Sequence, residues 1–209
     1  METLVEPARP LSIVGGQLAL DFADTVDDPW GPLRFDHIGT VAGLLSWSAQ
    51  TGSVTSDQAR RLERTSRSQP EVARATLTEA HRLRHVVVEV FTEIAADADP
   101  APHHWRSLQP WVTKAMSQAE LRAEGDTGRL GWPESDRLEV LLHPVAYAAF
   151  QLLTGPDLGR VKRCADCPWL FLDQSKNHSR RWCTMDICGR DHKKALYVAR
   201  RAERRRRSS

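Results

Sequence analysis

The chain has 209 residues, 41% hydrophobic and 27% charged, with a formal net charge of +2, a composition ordinary for a soluble folded protein of one large domain or one domain plus a small module. No stretch of about 18 apolar residues offers a membrane span. The opening METLVEPARP lacks the charged, apolar and small-residue regions of a secretory signal, so the expected setting is the cytoplasm.

In chain order, residues 1–14 read as an irregular lead-in limited by Pro7 and Pro10. After Gly15-Gly16, the alternation of Leu18, Leu20 and Phe22 with Ala19, Asp21 and Ala23 predicts a short strand. A turn-rich loop through Asp27-Asp28-Pro29-Trp30-Gly31-Pro32 follows. Helices are predicted from about Asp36 or Thr40 to Ala49, and from a Thr55-Ser56-Asp57 cap to Arg67. Pro70 then opens the longest helical pattern, with Ala73, Leu77, Ala80, Leu83, Val87, Phe91 and Ile94 as its buried stripe and His81 and His85 at its edge or surface. Asp97–Pro102 reads as a linker and Trp105–Ser117 as a helix. A small hairpin is expected over Glu120–Trp132, turning at Gly125-Asp126-Thr127-Gly128. Asp136 is positioned to cap an apolar helix Leu138–Leu153 that ends at Gly155-Pro156, and Asp157–Arg163 reads as one more helical turn.

The body carries no glycine-rich phosphate loop, no Gly-x-Ser-x-Gly and no His-Glu-x-x-His, so the expectation is that the chain is not an enzyme. Asp21 and Asp24 form the one carboxylate pair near an element end. They read as capping and hydrogen-bonding groups at a strand-to-loop turn, with a ligand pocket as the alternative. Trp30, Trp47, Trp105, Trp111 and Trp132 are expected to anchor a core or line such a pocket. His103-His104 points its rings about 100° apart on a helix and does not read as a metal pair.

All four cysteines fall within 25 residues: Cys164-x2-Cys167, a spacer of 15, then Cys183-x4-Cys188. Four thiolates gathered this way match a tetrahedral zinc site, and a closed four-sulfur site is structural because it leaves no position open to substrate. Disulfides would require an oxidising compartment, and a redox switch that releases zinc is a second reading. Between the pairs, Trp169–Leu172 reads as one strand and Arg180–Cys183 as its return, a ribbon-like hairpin too small to fold without metal. Trp169, Phe171 and Trp182 would cover the site, and removing the metal is expected to abolish the module's fold and its binding together.

The net charge hides an asymmetry. Residues 160–209 carry 15 Lys/Arg against 5 Asp/Glu, a net of +10, whereas residues 1–159 carry 14 against 22, a net of −8. A basic end on an acidic body fits a polyanion partner. Lys176, Arg180 and Arg181 cluster around the ribbon tip and return strand. On a helix after Cys188, one broad face gathers Arg190, Lys193, Lys194, Tyr197, Arg201, Arg204 and Arg205, while Ala195, Val198, Ala199 and Ala202 form a narrow seam. These are the candidate nucleic-acid contacts. A solvated helix, or one lying on the acidic body, is the alternative.

The stretches LALDFADT (Leu18–Thr25), WLFLD (Trp169–Asp173) and SRRWC (Ser179–Cys183), with Met185, Cys188-Gly189 and a basic helix, resemble the bacterial CGNR-type zinc-finger proteins with an N-terminal ABATE-type domain. The resemblance covers nearly the whole chain. It implies zinc at the four cysteines, DNA as partner and transcription regulation as function. Where the family has Cys-Gly-Asn-Arg, this chain has Cys188-Gly189-Arg190-Asp191. Arg190 restores a cation one place early, Lys193 keeps the downstream lysine, and Asp191 would repel phosphate at that turn. The expected architecture is mainly α (α+β): a mostly helical ABATE-type domain over 1–159, with a short strand and a small hairpin, then a zinc ribbon-like module with a basic helix over 160–209. The functional expectation is a DNA-binding regulator whose body senses a small-molecule effector or binds a partner. Two alternatives stand beside it: a protein-interaction module docking on the transcription machinery, and a small-molecule-binding protein or enzyme with purely structural zinc.

Overall fold

The computed structural model describes residues 11–27, 29, 32, 34–190, 194 and 197. Among these, the chain is mainly helical with three two-stranded antiparallel ribbons. The helices are α1 (Leu18–Ala23), α2 (Val41–Gln50), α3 (Ser56–Ser68), α4 (Pro70–Ala95), α5 (Pro102–Ser117) and α6 (His143–Thr154). The strands pair as β1 (Val26–Asp27) with β2 (Phe35–Asp36), β3 (Glu120–Glu124) with β4 (Thr127–Gly131), and β5 (Val161–Arg163) with β6 (Leu170–Leu172).

Local chemistry sets most boundaries. Thr40 caps α2 by accepting from the Gly43 amide at 3.0 Å, and Thr55 caps α3 by accepting from the Gln58 amide at 3.1 Å. Pro70 and Pro102 sit in the first turns of α4 and α5, where a missing N–H costs nothing. Gly125, at φ +59°, turns the β3–β4 hairpin. With 26 residues, α4 is the axis of the fold and packs against α1, α2, α3, α5, β5 and β6. Its stripe buries Ala73, Ala80, Leu83, Val87 and Phe91 as expected, adds Thr76, Val86 and Val90, and leaves Leu77 and Ile94 half-buried. Trp47 is enclosed in the core, Trp111 and Trp132 are half-buried against it, and Trp105 is exposed; Trp30 lies outside the described residues.

The β1–β2 ribbon falls where a loop and a helix start at Asp36 were expected, and three further elements of the body differ from the sequence expectation. Leu18–Ala23 is helical rather than extended. Ala19 and Ala23, which the alternating pattern treats as spacers, are buried with Leu20 and Phe22 on one helical face, and the Gln17 side chain caps the turn by accepting from the Ala19 amide at 2.7 Å. The apolar run Leu138–Leu153 is two elements, a 3-10 turn over Leu138–Leu142 and then α6. Pro144 ends the first because it lacks an N–H and clashes with the preceding turn. Asp136 caps neither; it is exposed beside Arg61. The expected helical turn over Asp157–Arg163 is helical only through Leu158–Arg160, and Val161–Arg163 is the strand β5.

The link between α4 and the β1–β2 ribbon is ionic. Arg84 donates both terminal nitrogens to the Asp36 carboxylate at 2.7 Å each and also reaches Thr25 Oγ1 at 3.0 Å. Both side chains are largely buried, 11% and 15% exposed. Burial alone would raise the Asp36 carboxyl, but the Arg84 bonds outweigh it and hold it below the ordinary value. The stabilisation is therefore complete above the unfolded carboxylate value of about 3.9 and is lost as pH falls through the lower folded value. Arg84→Met should cost roughly 2–4 kcal/mol at neutral pH, measured by urea unfolding. The variant should also lose less of its remaining stability on acidification than the parent chain does.

Candidate metal centre

The cysteines are delivered by two tight turns. Cys164 and Cys167 lie on the knuckle between β5 and β6, which pair as Val161↔Leu172, Lys162↔Phe171 and Arg163↔Leu170. The Cys164 amide closes the knuckle onto the Trp169 carbonyl at 2.8 Å. Trp169–Leu172 is extended as expected, but its partner is Val161–Arg163 rather than Arg180–Cys183. The latter approaches the knuckle without forming a strand and is tied to it by the Ala165 amide on the Arg181 carbonyl at 2.9 Å. Cys188 sits in a π-helical turn, Met185–Gly189, which Thr184 caps by accepting from the Asp186 amide at 3.2 Å. A β-carbon on the buried Gly189 would meet Met185 Sδ at 2.9 Å, so a larger residue there would push the end of the Met185 side chain aside.

The four Sγ atoms lie within 4.8 Å of one another, with Cys167–Cys183 and Cys183–Cys188 both at 3.6 Å. Tetrahedral Zn–S bonds of about 2.3 Å place sulfurs about 3.8 Å apart, so the four clustered residues fit a zinc ion. The thiols are free of disulfides. Without a cation the quartet cannot ionise together. Hydrogen bonding from Cys183 draws Cys167 down to about 6, the bond to that sulfur and burial push Cys183 up, and burial with the Cys167 charge pushes Cys188 up to about 12. A Cys167 drawn toward its thiolate beside Cys183 and Cys188 held toward their thiols is an arrangement a divalent ion would convert into a set of bound thiolates. Phe171, Val14, Trp169 and Trp182 pack around the sulfurs, so the three aromatics expected to cover the site do so.

The loop between the cysteine pairs is organised by Asp173, a residue the sequence reading quoted only within its motif. Fully buried, it accepts from Lys162 Nζ at 2.6 Å, the Arg180 amide at 3.1 Å, and the Ser175 amide and hydroxyl at 3.0 and 2.6 Å. Burial would raise its carboxyl, but the Lys162 and Ser175 bonds hold it well below the usual range. The signal was present: an Asp closing an apolar run with Ser two residues on is a side-chain-to-backbone turn.

The expected nucleic-acid contacts divide. Arg180 is a clamp within the module: its guanidinium stacks 4.5 Å from the Phe171 ring, Nε donates to the Trp182 carbonyl at 2.9 Å, and Nη2 reaches the Cys183 carbonyl. Lys176, Arg181, Arg190, Lys194 and Tyr197 are exposed, with Arg181 over the Trp182 ring. Lys193, Arg201, Arg204 and Arg205 lie outside the described residues. Asp21 and Asp24 line neither the cleft beside His143 nor the one at the cysteine turns. Asp21 accepts from the Gly15 amide at 2.8 Å. Asp24 ends α1, is buried, and accepts from the Leu170 amide at 2.9 Å; burial pushes its carboxyl well up.

These bonds form a seam. The Leu172 amide donates to the Gly15 carbonyl at 2.7 Å, Leu170 to Asp24, and Trp169 Nε1 to the Val26 carbonyl at 2.9 Å. The free edge of β6 is thereby covered by residues 15–26. LALDFADT and WLFLD, far apart in sequence, are in contact.

A helical body joined along such a seam to a turn with four clustered cysteines has the architecture of a zinc-finger protein. The ABATE family model, described as a putative stress-induced transcription regulator, matches residues 16–156, and the CGNR zinc finger model matches residues 160–201. The chain belongs to the ABATE family and carries a CGNR zinc finger. No curated protein matches it. No helix among the described residues is long and apolar enough to cross a membrane.

The purified chain should carry one zinc per molecule by elemental analysis, and a Cys164→Ser/Cys167→Ser variant essentially none. Because Val161, Leu170 and Leu172 belong to the same core as the helices, hydrogen exchange after chelation should accelerate over residues 183–190 while β5 and β6 stay protected. Asp173→Asn should lower stability by roughly 2–4 kcal/mol by leaving Lys162 unpaired, seen in denaturant melts, and should speed zinc loss to a chromogenic chelator.

Proposed function

We propose that the chain is a zinc-holding, DNA-binding transcription regulator, working in the cytoplasm, whose helical body senses a small molecule or binds a partner. The observation that carries this reading is the placement of Arg190 directly after the Cys188–Gly189 turn, with Arg181, Lys176, Lys194 and Tyr197 also exposed. Bound zinc would neutralise the thiolates and fix both turns. The side chains of Arg181 and Arg190 then meet backbone phosphate from a rigid base, and Tyr197 offers a ring to base edges or sugars. A closed four-sulfur site leaves no position for substrate, and the reading is of a non-catalytic protein.

A second reading, docking on a protein of the transcription machinery, draws on Met185 and Ile187. They are 50% and 48% exposed on the Cys188 turn.

DNA selected from random duplexes should bind with an affinity that falls linearly in log–log salt titration. Arg190→Ala should reduce that slope by about 1, measured by fluorescence anisotropy. Binding indifferent to salt and unchanged in Cys164→Ser/Cys167→Ser would refute the DNA reading. Nuclease-resistant capture of a polymerase subunit would establish the second.

A further inference from the structure

We propose that the β3–β4 hairpin pairs edge to edge with the hairpin of a second copy of this chain, joining two molecules through a four-stranded antiparallel sheet in the order β4-β3-β3-β4. The inference goes beyond the DNA reading and does not depend on it.

The hairpin stands out from the body. β3 is exposed at all five positions and β4 at its first three, and among the described residues the two strands pair only with each other. Sheet edges are ordinarily blunted by a bulge, a proline or a covering element. Here the five pairs from Glu120↔Gly131 to Glu124↔Thr127 run in unbroken register, and neither strand contains proline.

The two-residue turn Gly125-Asp126 decides which backbone groups are free. Glu124 and Thr127 close it as a hydrogen-bonded pair, so Glu120, Arg122 and Glu124 direct their amides and carbonyls to β4. Leu121 and Ala123 direct theirs outward, where no described residue meets them. Leu121 is 80% exposed and stands opposite Leu130 on the apolar face of the hairpin.

The charges on β3 select the occupant. Glu120 and Arg122 lie two positions apart, on the face opposite Leu121. Antiparallel pairing of two copies about Leu121 sets each Glu120 across from the partner's Arg122 and each Leu121 across from the partner's Leu121. Leu130, Leu121 and their counterparts then form one apolar row across the sheet. Centring on Arg122 instead would oppose Arg122 to itself and Glu120 to Glu124. Centring on Ala123 would oppose Glu120 to Asp126 and leave Leu121 beside a glycine. Like charges directly opposite are destabilising, which leaves the Leu121 register. The outer edge of β4 has no such match, because Arg129 is its one charged residue.

The test is sedimentation equilibrium of the zinc-loaded full chain from micromolar to millimolar concentration. A reversible monomer–dimer equilibrium is expected, weak because the interface is small. Leu121→Lys and Glu120→Arg should each weaken it by about tenfold or more, the second by setting cations against each other. The double reversal Glu120→Arg/Arg122→Glu should return it to within about threefold of the parent chain. Should the reversal disturb the hairpin, where Arg122 reaches the Trp132 carbonyl, Ala123→Pro decides. It removes an outward amide that the hairpin does not use, and should abolish dimerisation with the melt unchanged. A chain monomeric throughout overturns the proposal. So does a dimer that withstands Leu121→Lys and Ala123→Pro, or a folded double reversal that stays monomeric.

Discussion

A strand of three residues holds this structure together because its two faces point into different cores. In β6, Leu170 and Leu172 face the helices and are buried with residues of α1, α4 and α6, while Phe171 faces the other way and is buried among the cysteines. Alternation along a strand makes this unavoidable: the side chain between two core residues must leave on the opposite side. Both edges of the strand are occupied as well, one by β5 and the other by the Gly15 carbonyl and the Asp24 carboxylate. A strand so short has little stability of its own. It is extended because two packing surfaces and two hydrogen-bonding edges converge on it.

Three buried carboxylates show how differently one side chain can be used within the same fold. Asp36 meets a guanidinium in bidentate geometry and stays ionised, binding α4 to the β1–β2 ribbon. Asp173 meets a lysine, two backbone amides and a hydroxyl, and is held further still toward its charged form. Asp24 has one amide and no cation, lies near the Cys164 and Cys167 sulfurs, and is driven toward its neutral form. The first two are ionic ties and the third is an acceptor completing a strand edge. Neighbours decide the role, since burial alone would raise all three.

How much of this was legible follows from the range of the interactions. The Thr55 cap, the N-terminal proline of α4, the glycine turn at Gly125 and the cysteine spacing are local signals, and each pointed to its element. The cysteine quartet was the most specific, because ligand spacing constrains a metal site more tightly than hydropathy constrains a helix. Failures came where one local pattern admits two structures. LALDFA alternates if alanine is counted as a spacer and forms a helical face if it is counted as core. Val161–Arg163 is too short to show any period, so its pairing with Leu170–Leu172 was invisible. Arg180 looked like a phosphate ligand because nothing in sequence reveals that three carbonyls and a ring converge on it. The walls around His143 come from segments more than 60 residues apart and exist only after folding.

The turn that carries Cys188 has a mechanical consequence. Gly189 is buried against the end of the Met185 side chain, and Arg190 follows at once in helical conformation. The heading on which the polypeptide leaves the site is thus fixed within two residues of a sulfur. That is a rigid bracket rather than a swivel. A bound metal would thereby set the aim of Arg190, so a chain without its ion would keep that cation but lose the base that directs it.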